Sequence, residues 1–328
     1  MTVSRVINGE SNVRPATRDK VNAAIAELNY SPNSAARTLA GAGQVRIGLL
    51  YSNPSAAYLS EFLVGSLDQA SRRDVQLVVE KCELGNHELE VARHMIDRGI
   101  DGILLPAPLC DSPELIRVLT DAKVPAVLVG SGRPVEHLFS VNIDDHAAAH
   151  AMTRHILSLG HRRIGFIIGN PAQTASANRL AGFRAAMAEA GLPADDAQTA
   201  QGVFTYRSGL DAAEQLLELD DPPTAIFASN DDMAAATVAV AHRRGMDVPG
   251  DLTVCGFDDT ALATAIWPEL TTIHQPIADM SRAAVDLLVT SIRRQVGTPE
   301  ERHRLLDFTL VRRQSDAAPR RRPKIQRA

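Results

Sequence analysis

The 328-residue sequence is poor in the features that mark secreted, membrane and metal-binding proteins. Its three cysteines, Cys82, Cys110 and Cys255, are far apart and include no CxxC pair, so neither a disulfide framework nor a zinc knuckle is expected. No apolar run approaches the roughly 18 residues that a membrane span needs, and the first residues lack the apolar segment of a signal peptide. We therefore expect a cytoplasmic protein whose cysteines are small core residues.

Common enzyme motifs are also missing. The sequence contains no GxGxxG after its first predicted strand, no GxxxxGK[ST] loop, no HExxH and no GxSxG. His146, His150 and His155 are spaced as on one helix, beside Asp144 and Asp145. This pattern fits either a metal site or solvated helix residues, and the second interpretation is favoured. We predict a protein that is not an enzyme and that has no metal or cofactor.

Charge is distributed unevenly along the chain. The net charge is -5, but residues 1–46 carry +3 and residues 312–328 carry +6, which leaves -14 for the segment between them. Because Lys and Arg make phosphate contacts, a basic head on an acidic body is typical of a polyanion-binding module joined to a non-binding domain. The length allows about two domains, and the composition, 45% hydrophobic and 22% charged, is that of a globular protein.

The first 44 residues follow a different pattern from the rest. Apolar residues recur at helical spacing from Thr17 to Leu28, and a second short helix is predicted from Asn33 to Ala40. From Val45 onward, short apolar runs alternate with helix-length segments, which indicates an α/β protein with doubly wound parallel sheets. The tandem rhythm predicts two such lobes with a cleft between them. The predicted strands are Val45–Leu50, Val75–Val79, Ile100–Leu105, Ala126–Gly130, Arg163–Ile168, Ala225–Ala228 and Leu252–Phe257.

Polar side chains follow several of the predicted strands. They are Asn53, Ser131, Asp144, Asp145, Asn230, Asp231, Asp258 and Asp259. Carboxylates accept hydrogen bonds from neighbouring hydroxyls, and amides both donate and accept, so such a set suits a sugar or another polyol. Each aspartate taken alone could equally cap the helix that follows it.

The segment TVSRVINGESNVRPATRDKVNAAIAELNYSPNSAARTLAG resembles the DNA-binding head of the lactose-repressor (LacI/GalR) family of bacterial transcription regulators. LGHRRIGFI, RLAGFRAAM, ASNDDMA, VCGFDD and PELTTIHQP are similar to its effector-binding core, in the family's order. The resemblance spans nearly the whole chain. It implies two lobes of the periplasmic-binding-protein-like type, preceded by a partial all-α helix-turn-helix head and a hinge helix. It also implies palindromic operator DNA, a small sugar-like effector and a homodimer.

For the head, the resemblance implies a set of DNA contacts. They are Thr2, Ser4, Arg5 and Asn8 on the recognition helix, Tyr30 and Asn33 at the entry to the hinge helix, and Leu39 as the minor-groove wedge. Arg5 suits the O6 and N7 atoms of guanine, and a leucine wedge kinks the centre of the operator. The family's first helix and turn have no counterpart here, so we expect an in-frame upstream extension, without which normal operator binding would fail.

For the core, the resemblance implies an effector in the cleft. The expected contacts are Arg179, Phe204, Asn230 and Asp258 in one lobe, Asn53, Tyr58 and Ser131 in the other, and Gln275 near the crossover. Phe204 could stack on the apolar face of a sugar.

The expected organisation has five parts. They are a partial head (1–32), a hinge helix and linker (33–45), an N-terminal lobe (46–144 and 276–296), a C-terminal lobe (145–275 and 297–315) and a disordered basic tail (316–328). The main hypothesis is a repressor controlled by its effector. The alternatives are a sugar-binding protein of the same fold that does not bind DNA, and, least favoured, a sugar-modifying enzyme.

Overall fold

The computed structural model describes residues 14–27, 44–133, 135, 138–193, 198–293 and 302–320. The chain divides into two compact units, residues 1–44 and 45–328. In the first unit, helix α1 spans Pro15–Glu27, which covers most of the helix predicted from Thr17 to Leu28. The predicted hinge helix and every expected DNA contact lie outside the described residues. None of the helices in the described ranges is long and apolar enough to cross a membrane.

The second unit consists of two six-stranded sheets and the helices that cover them. The strands are β1 (Arg46–Tyr51), β2 (Gln76–Lys81), β3 (Gly102–Pro106), β4 (Ala126–Val129), β5 (Phe139–Asn142), β6 (Ile164–Ile168), β7 (Thr199–Gln201), β8 (Ala225–Ala228), β9 (Thr253–Asp258), β10 (Thr271–His274), β11 (His303–Leu305) and β12 (Thr309–Val311). The helices are α2 (Ala56–Arg72), α3 (Glu88–Asp97), α4 (Pro113–Asp121), α5 (Asp145–Ser158), α6 (Thr174–Glu189), α7 (Tyr206–Leu217), α8 (Asp231–Arg243), α9 (Ala261–Ala265) and α10 (Ile277–Ile292).

The two sheets have the same strand order and differ in the direction of their last strand. The first has the order β11-β5-β4-β3-β1-β2 and the second β12-β10-β9-β8-β6-β7. All described pairs are parallel except β10 with β12. Helices cover both faces, so the central strands β3, β4, β8 and β9 are buried along their whole length. Their continuous apolar runs are the expected signature of a parallel sheet, and the prediction of two doubly wound lobes is confirmed.

The chain passes between the lobes three times. It crosses after β5 into α5, which packs on α6, and returns after β10 into α10, which packs on α2 and on β3, β4 and β5. The third crossing follows β11, because β11 pairs with β5 in the first sheet while β12 pairs with β10 in the second. The expectation that 297–315 belongs to the C-terminal lobe is therefore wrong for His303–Leu305. That short strand is exposed, so its sequence carries no burial pattern to reveal its sheet.

The disordered tail expected for 316–328 is wrong for its first residues, Asp316 and Ala317, which continue from an ordered Ser315. Ser315 is fully buried, and its hydroxyl accepts a hydrogen bond from the Thr271 N–H at 2.8 Å. The Asp316 carboxylate, also buried, is 2.8 Å from Nε2 of His155. The carbonyl of Ala317 accepts from Nε2 of His161 at 2.8 Å. We call residues 315–317 the C-terminal strap. Residues 321–328 lie outside the described part of the chain.

Candidate ligand-binding site

A cavity lies between the two sheets, at the carboxyl ends of their strands. The space between the atoms that surround it, part of which is open to solvent, is about 460 Å³. It is lined by Asn53, Pro54, Ser55, Tyr58, Ala107, Gly130, Asp145, Gln173, Ala175, Arg179, Phe204, Asn230, Asp258 and Gln275. The cavity therefore draws side chains from both lobes.

Seven of the eight expected effector contacts line this one cavity. Ser131 does not: it lies beside the cavity, where its hydroxyl donates to Oδ1 of Asp111 at 2.8 Å. Sequence reasoning placed Asp145 at a strand end but did not include it among the effector contacts. It also missed Ser55 and Gln173, for which the only signal was that each precedes a helix.

Arg179 is the charged centre of the cavity. Its Nε donates to Oδ1 of Asp145 at 2.7 Å, and its Nη1 donates to the carbonyl of Ser229 at 2.5 Å. The guanidinium lies 3.6 Å from the centroid of the Phe257 ring, and Nη1 is 3.8 Å from Oδ1 of Asp258. These contacts hold the planar group in one orientation, which leaves its remaining N–H donors for a ligand.

Asn230 joins a helix start to the cavity wall. It is the N-cap residue of α8, where its Oδ1 accepts from the Met233 N–H at 3.0 Å. Its Nδ2 donates to the carbonyl of Phe204 at 3.1 Å. The amide therefore both caps the helix and fixes the loop that carries the aromatic ring.

In the first lobe, Asn53 and Ser55 organise the turn between β1 and α2. The Asn53 amide donates to the carbonyl of Ala107 at 3.2 Å and accepts from the Ser55 N–H at 2.8 Å. The Ser55 hydroxyl accepts from the Tyr58 N–H at 3.3 Å, and donates across the cleft to Oδ2 of Asp232 at 2.6 Å. Tyr58 is buried, and burial raises the pKa of its hydroxyl, which stays protonated as a donor.

Two buried carboxylates give the cavity hydrogen-bond acceptors. Burial raises the pKa of Asp258 well above its ordinary value, against the opposing influence of Arg179. Burial also raises the pKa of Asp145, and the guanidinium and its hydrogen bond again oppose this. Of the described residues that line the cavity, Arg179 alone carries a positive charge. Its charge is matched most directly by Asp145, whose Oδ1 accepts from its Nε.

Backbone strain is concentrated at this edge of the second sheet. Phe204, Asp258 and Asp259 have φ values of 63°, 107° and 59°, a region that L-residues other than Asn and Asp rarely enter. For Phe204, which is neither Asn nor Asp, such a conformation costs on the order of 1–3 kcal/mol and persists where the surroundings fix it. Phe204 and Asp258 line the cavity. The backbone conformation that places the Phe204 side chain there lowers the stability of the fold.

Comparison with known proteins gives consistent matches over both units. The family model for bacterial regulatory proteins of the lacI family matches residues 1–33, and that for a periplasmic binding protein-like domain matches residues 153–315. Catabolite control protein A of Priestia megaterium is 34% identical over 296 residues, which cover 90% of this chain and 89% of the relative.

Two solved structures resemble the chain over almost its full length. The complex of the transcriptional regulator CelR with cellobiose has a TM-score of 0.77 at 32% identity, covering 95% of this chain and 94% of the other. The lac repressor dimer bound to operator and the anti-inducer ONPF has a TM-score of 0.79 at 28% identity, covering 97% and 95%. In these comparisons the matches span the DNA-binding head as well as the core.

Proposed function

The chain belongs to the LacI family of bacterial regulatory proteins, and we propose from this premise that it is a transcriptional repressor controlled by a small effector in the cleft. The observation that carries the proposal is one cavity lined by polar side chains of both lobes, in a chain that also matches the family's DNA-binding head. A ligand that contacts both lobes binds the closed form better, and so shifts the protein towards it.

We infer that the effector is a neutral polyol such as a sugar. Asp145 and Asp258 can accept hydrogen bonds from adjacent hydroxyls, Arg179 can donate to them, and the Phe204 ring offers an apolar face. An anionic ligand would meet two buried carboxylates and a cation whose charge is already compensated. A phosphorylated sugar should therefore bind more weakly than the same sugar without phosphate.

The effector class can be tested with paired sugars. The probes are glucose, glucose 6-phosphate and cellobiose, the last being the ligand of the similar CelR complex. Calorimetry measures the binding of each sugar to the full chain. We expect at least one neutral sugar of a wider panel to bind, and glucose 6-phosphate to bind no better than glucose. Preference for the phosphorylated sugar would contradict the inferred charge selectivity.

The repressor function is tested by operator binding at a stated salt concentration. The 328-residue chain, and one extended upstream to the next in-frame start, are titrated against palindromes from the same locus. We expect the extended chain to bind specifically, and this binding to change when a sugar is added. If neither chain binds DNA specifically while a sugar still binds, the sugar-binding alternative replaces the repressor.

We further propose that the protein acts as a homodimer, because palindromic half-sites need two reading heads. The expected DNA contacts, Thr2, Ser4, Arg5, Asn8, Tyr30, Asn33 and Leu39, stay predictions. Replacing Leu39 by Ala should weaken specific operator binding and leave sugar affinity unchanged, since Leu39 lies outside the effector-binding core. Unchanged operator affinity in this variant would contradict the wedge assignment.

A further inference from the structure

Beside the cavity, a carboxylate of the first lobe caps a helix of the second. Asp111 ends a short 3-10 helix, Leu109–Asp111, that follows β3 in the first lobe. Helix α6 of the second lobe begins at Thr174, and its own N-cap residue, Gln173, makes no side-chain capping hydrogen bond. The Thr174 backbone N–H donates instead to Oδ2 of Asp111 at 2.9 Å. The first lobe thus supplies the acceptor that this helix terminus otherwise lacks.

Further hydrogen bonds fix the same carboxylate. The Thr174 hydroxyl lies 2.9 and 3.0 Å from the two carboxylate oxygens of Asp111, and it accepts from the Gly132 N–H at 2.6 Å. The Ser131 hydroxyl donates to Oδ1 of Asp111 from within the first lobe. A Cβ at Gly132 would overlap the Asn178 side chain, so the backbone of one lobe here touches the helix of the other.

These contacts depend on the distance between the lobes. Protein hydrogen bonds have donor–acceptor distances of about 2.5–3.2 Å, so a small opening of the cleft breaks the links from Asp111 and Gly132 to Thr174. Ser55 and Asp232 form another contact across the cleft. Ser55 lines the cavity, however, and Asp111 does not. A change at Asp111 therefore tests closure without removing a cavity-lining side chain.

We propose that Asp111 is a closing residue: by capping α6 from the opposite lobe, it stabilises the closed cleft before any effector binds. Helix α6 also carries Arg179 into the cavity, so the cap holds the main cationic group in position. A larger closed fraction raises the apparent affinity for any ligand that binds the closed form. The inference rests on the proposed function for its regulatory meaning, whereas the effect on closure is measured without DNA or sugar.

The test is a distance measurement between the lobes of the full chain. Spin labels are attached at Arg117→Cys on α4 and Ala181→Cys on α6, two exposed positions, while the native cysteines are buried. We expect a population at short distance without ligand. Asp111→Ala should lower the closed-to-open ratio about tenfold, the size of effect expected for a lost hydrogen bond to a charged group. Asp111→Asn should retain most of the closed population, because Asn also caps helices well.

Two further variants make the outcome specific. Ser112→Ala removes the cap of α4 within the first lobe, since the Ser112 hydroxyl accepts from the Leu115 N–H. It should lower the melting temperature without changing the distance between the labels. Thr174→Ala keeps the backbone donor but loses the hydroxyl, and should open the cleft less than Asp111→Ala does. Identical distance distributions for the native chain, Asp111→Ala and Thr174→Ala would overturn the proposal, whereas failed operator binding would count only against the repressor function.

Discussion

Arg179 shows at the scale of one residue how the cavity depends on compensated charge. Its side chain is 6% exposed and that of its partner Asp145 is 5% exposed. Replacing Arg179 by Gln leaves a buried carboxylate without its cation, which should lower the free energy of unfolding by about 3–5 kcal/mol. Denaturant unfolding of the purified chain measures this loss. Adding Asp145→Asn should recover part of it, and strictly additive effects would contradict the coupling.

The buried carboxyl group of Asp231 predicts that the stability of the fold depends on pH. Burial raises its pKa from 3.8 to about 7, although hydrogen bonds from Thr272 and Thr260 oppose the shift. Because the folded chain holds this proton to higher pH than the unfolded chain, the group stabilises the fold at low pH, and this stability is lost as pH rises from about 4 to 7.

The unfolding free energy of the native chain is therefore compared with that of Asp231→Asn, which has no titrating group at this position. Between pH 5 and pH 8 the native chain should lose roughly 2–3 kcal/mol of unfolding free energy relative to this variant. Urea unfolding at several pH values measures the difference. A difference that does not change with pH would rule out a raised pKa at Asp231.

Single residues also show where sequence reasoning about the site stops. Arg179, Asn230 and Asp258 could be assigned because they lie in segments that resemble a known family. Asp145 could not, because an aspartate before a helix is ordinarily a cap. Here Asp144 is the cap, accepting from the Ala147 N–H, while the next residue turns inwards to Arg179. The direction of each side chain depends on the tertiary fold and has no local signal.

At the scale of elements, the strands with apolar runs could be predicted and the short polar ones could not. The apolar runs predicted from Val45 to Phe257 correspond closely to β1, β2, β3, β4, β6, β8 and β9. Strands β5, β7, β10, β11 and β12 have three or four residues each, and their sequences include Ser, Thr, Gln, His or Arg. Pairing with a neighbouring strand makes them strands, and such pairing is not visible in a local pattern.

The C-terminal strap gives a prediction at the same scale. Asp316 accepts from the Thr271 hydroxyl at 2.5 Å and from Nε of Arg312 at 3.1 Å, besides its contact with His155. Asp316→Ala leaves the buried Thr271 hydroxyl without its acceptor, and should lower the free energy of unfolding by about 2–3 kcal/mol. Thermal or denaturant unfolding measures the effect.

Arg320→Ala provides the matched control. It removes an ion pair with Asp247 in which both side chains are more than half exposed. Exposed pairs contribute little, so this variant should unfold at nearly the native denaturant concentration. Equal losses for Asp316→Ala and Arg320→Ala would show that burial does not govern the contribution of these ion pairs.

At the scale of the whole molecule, an exposed apolar face of helix α2 is a candidate contact surface for the proposed homodimer. Val64 and Leu67 lie three positions apart on α2, with exposures of 59% and 55%. Residues at this spacing share one face of a helix. If this face contacts the second copy, Leu67→Glu buries a charge at the interface, and the dimer dissociation constant should rise at least tenfold. Sedimentation velocity over a concentration series measures the change.

Leu305→Glu is the control for that experiment. Leu305 is 69% exposed, but it lies on β11, the edge strand opposite β2 in the first sheet. Helix α2 packs near β2, so a dimer formed through α2 leaves Leu305 free. Leu67→Glu should therefore shift the chain towards monomer, and Leu305→Glu should not. Dissociation caused by Leu305→Glu alone would indicate that the dimer interface lies at the β11 edge of the sheet.

The three crossings between the lobes also determine the order in which the protein can be completed during translation. When synthesis has reached residue 275, the first lobe still lacks helix α10, and its sheet still lacks the edge strand β11. The second sheet lacks β12 and the strap until residue 317 has emerged from the ribosome. Neither lobe is a continuous stretch of chain, so neither can finish folding on the nascent polypeptide before the other is almost fully synthesised.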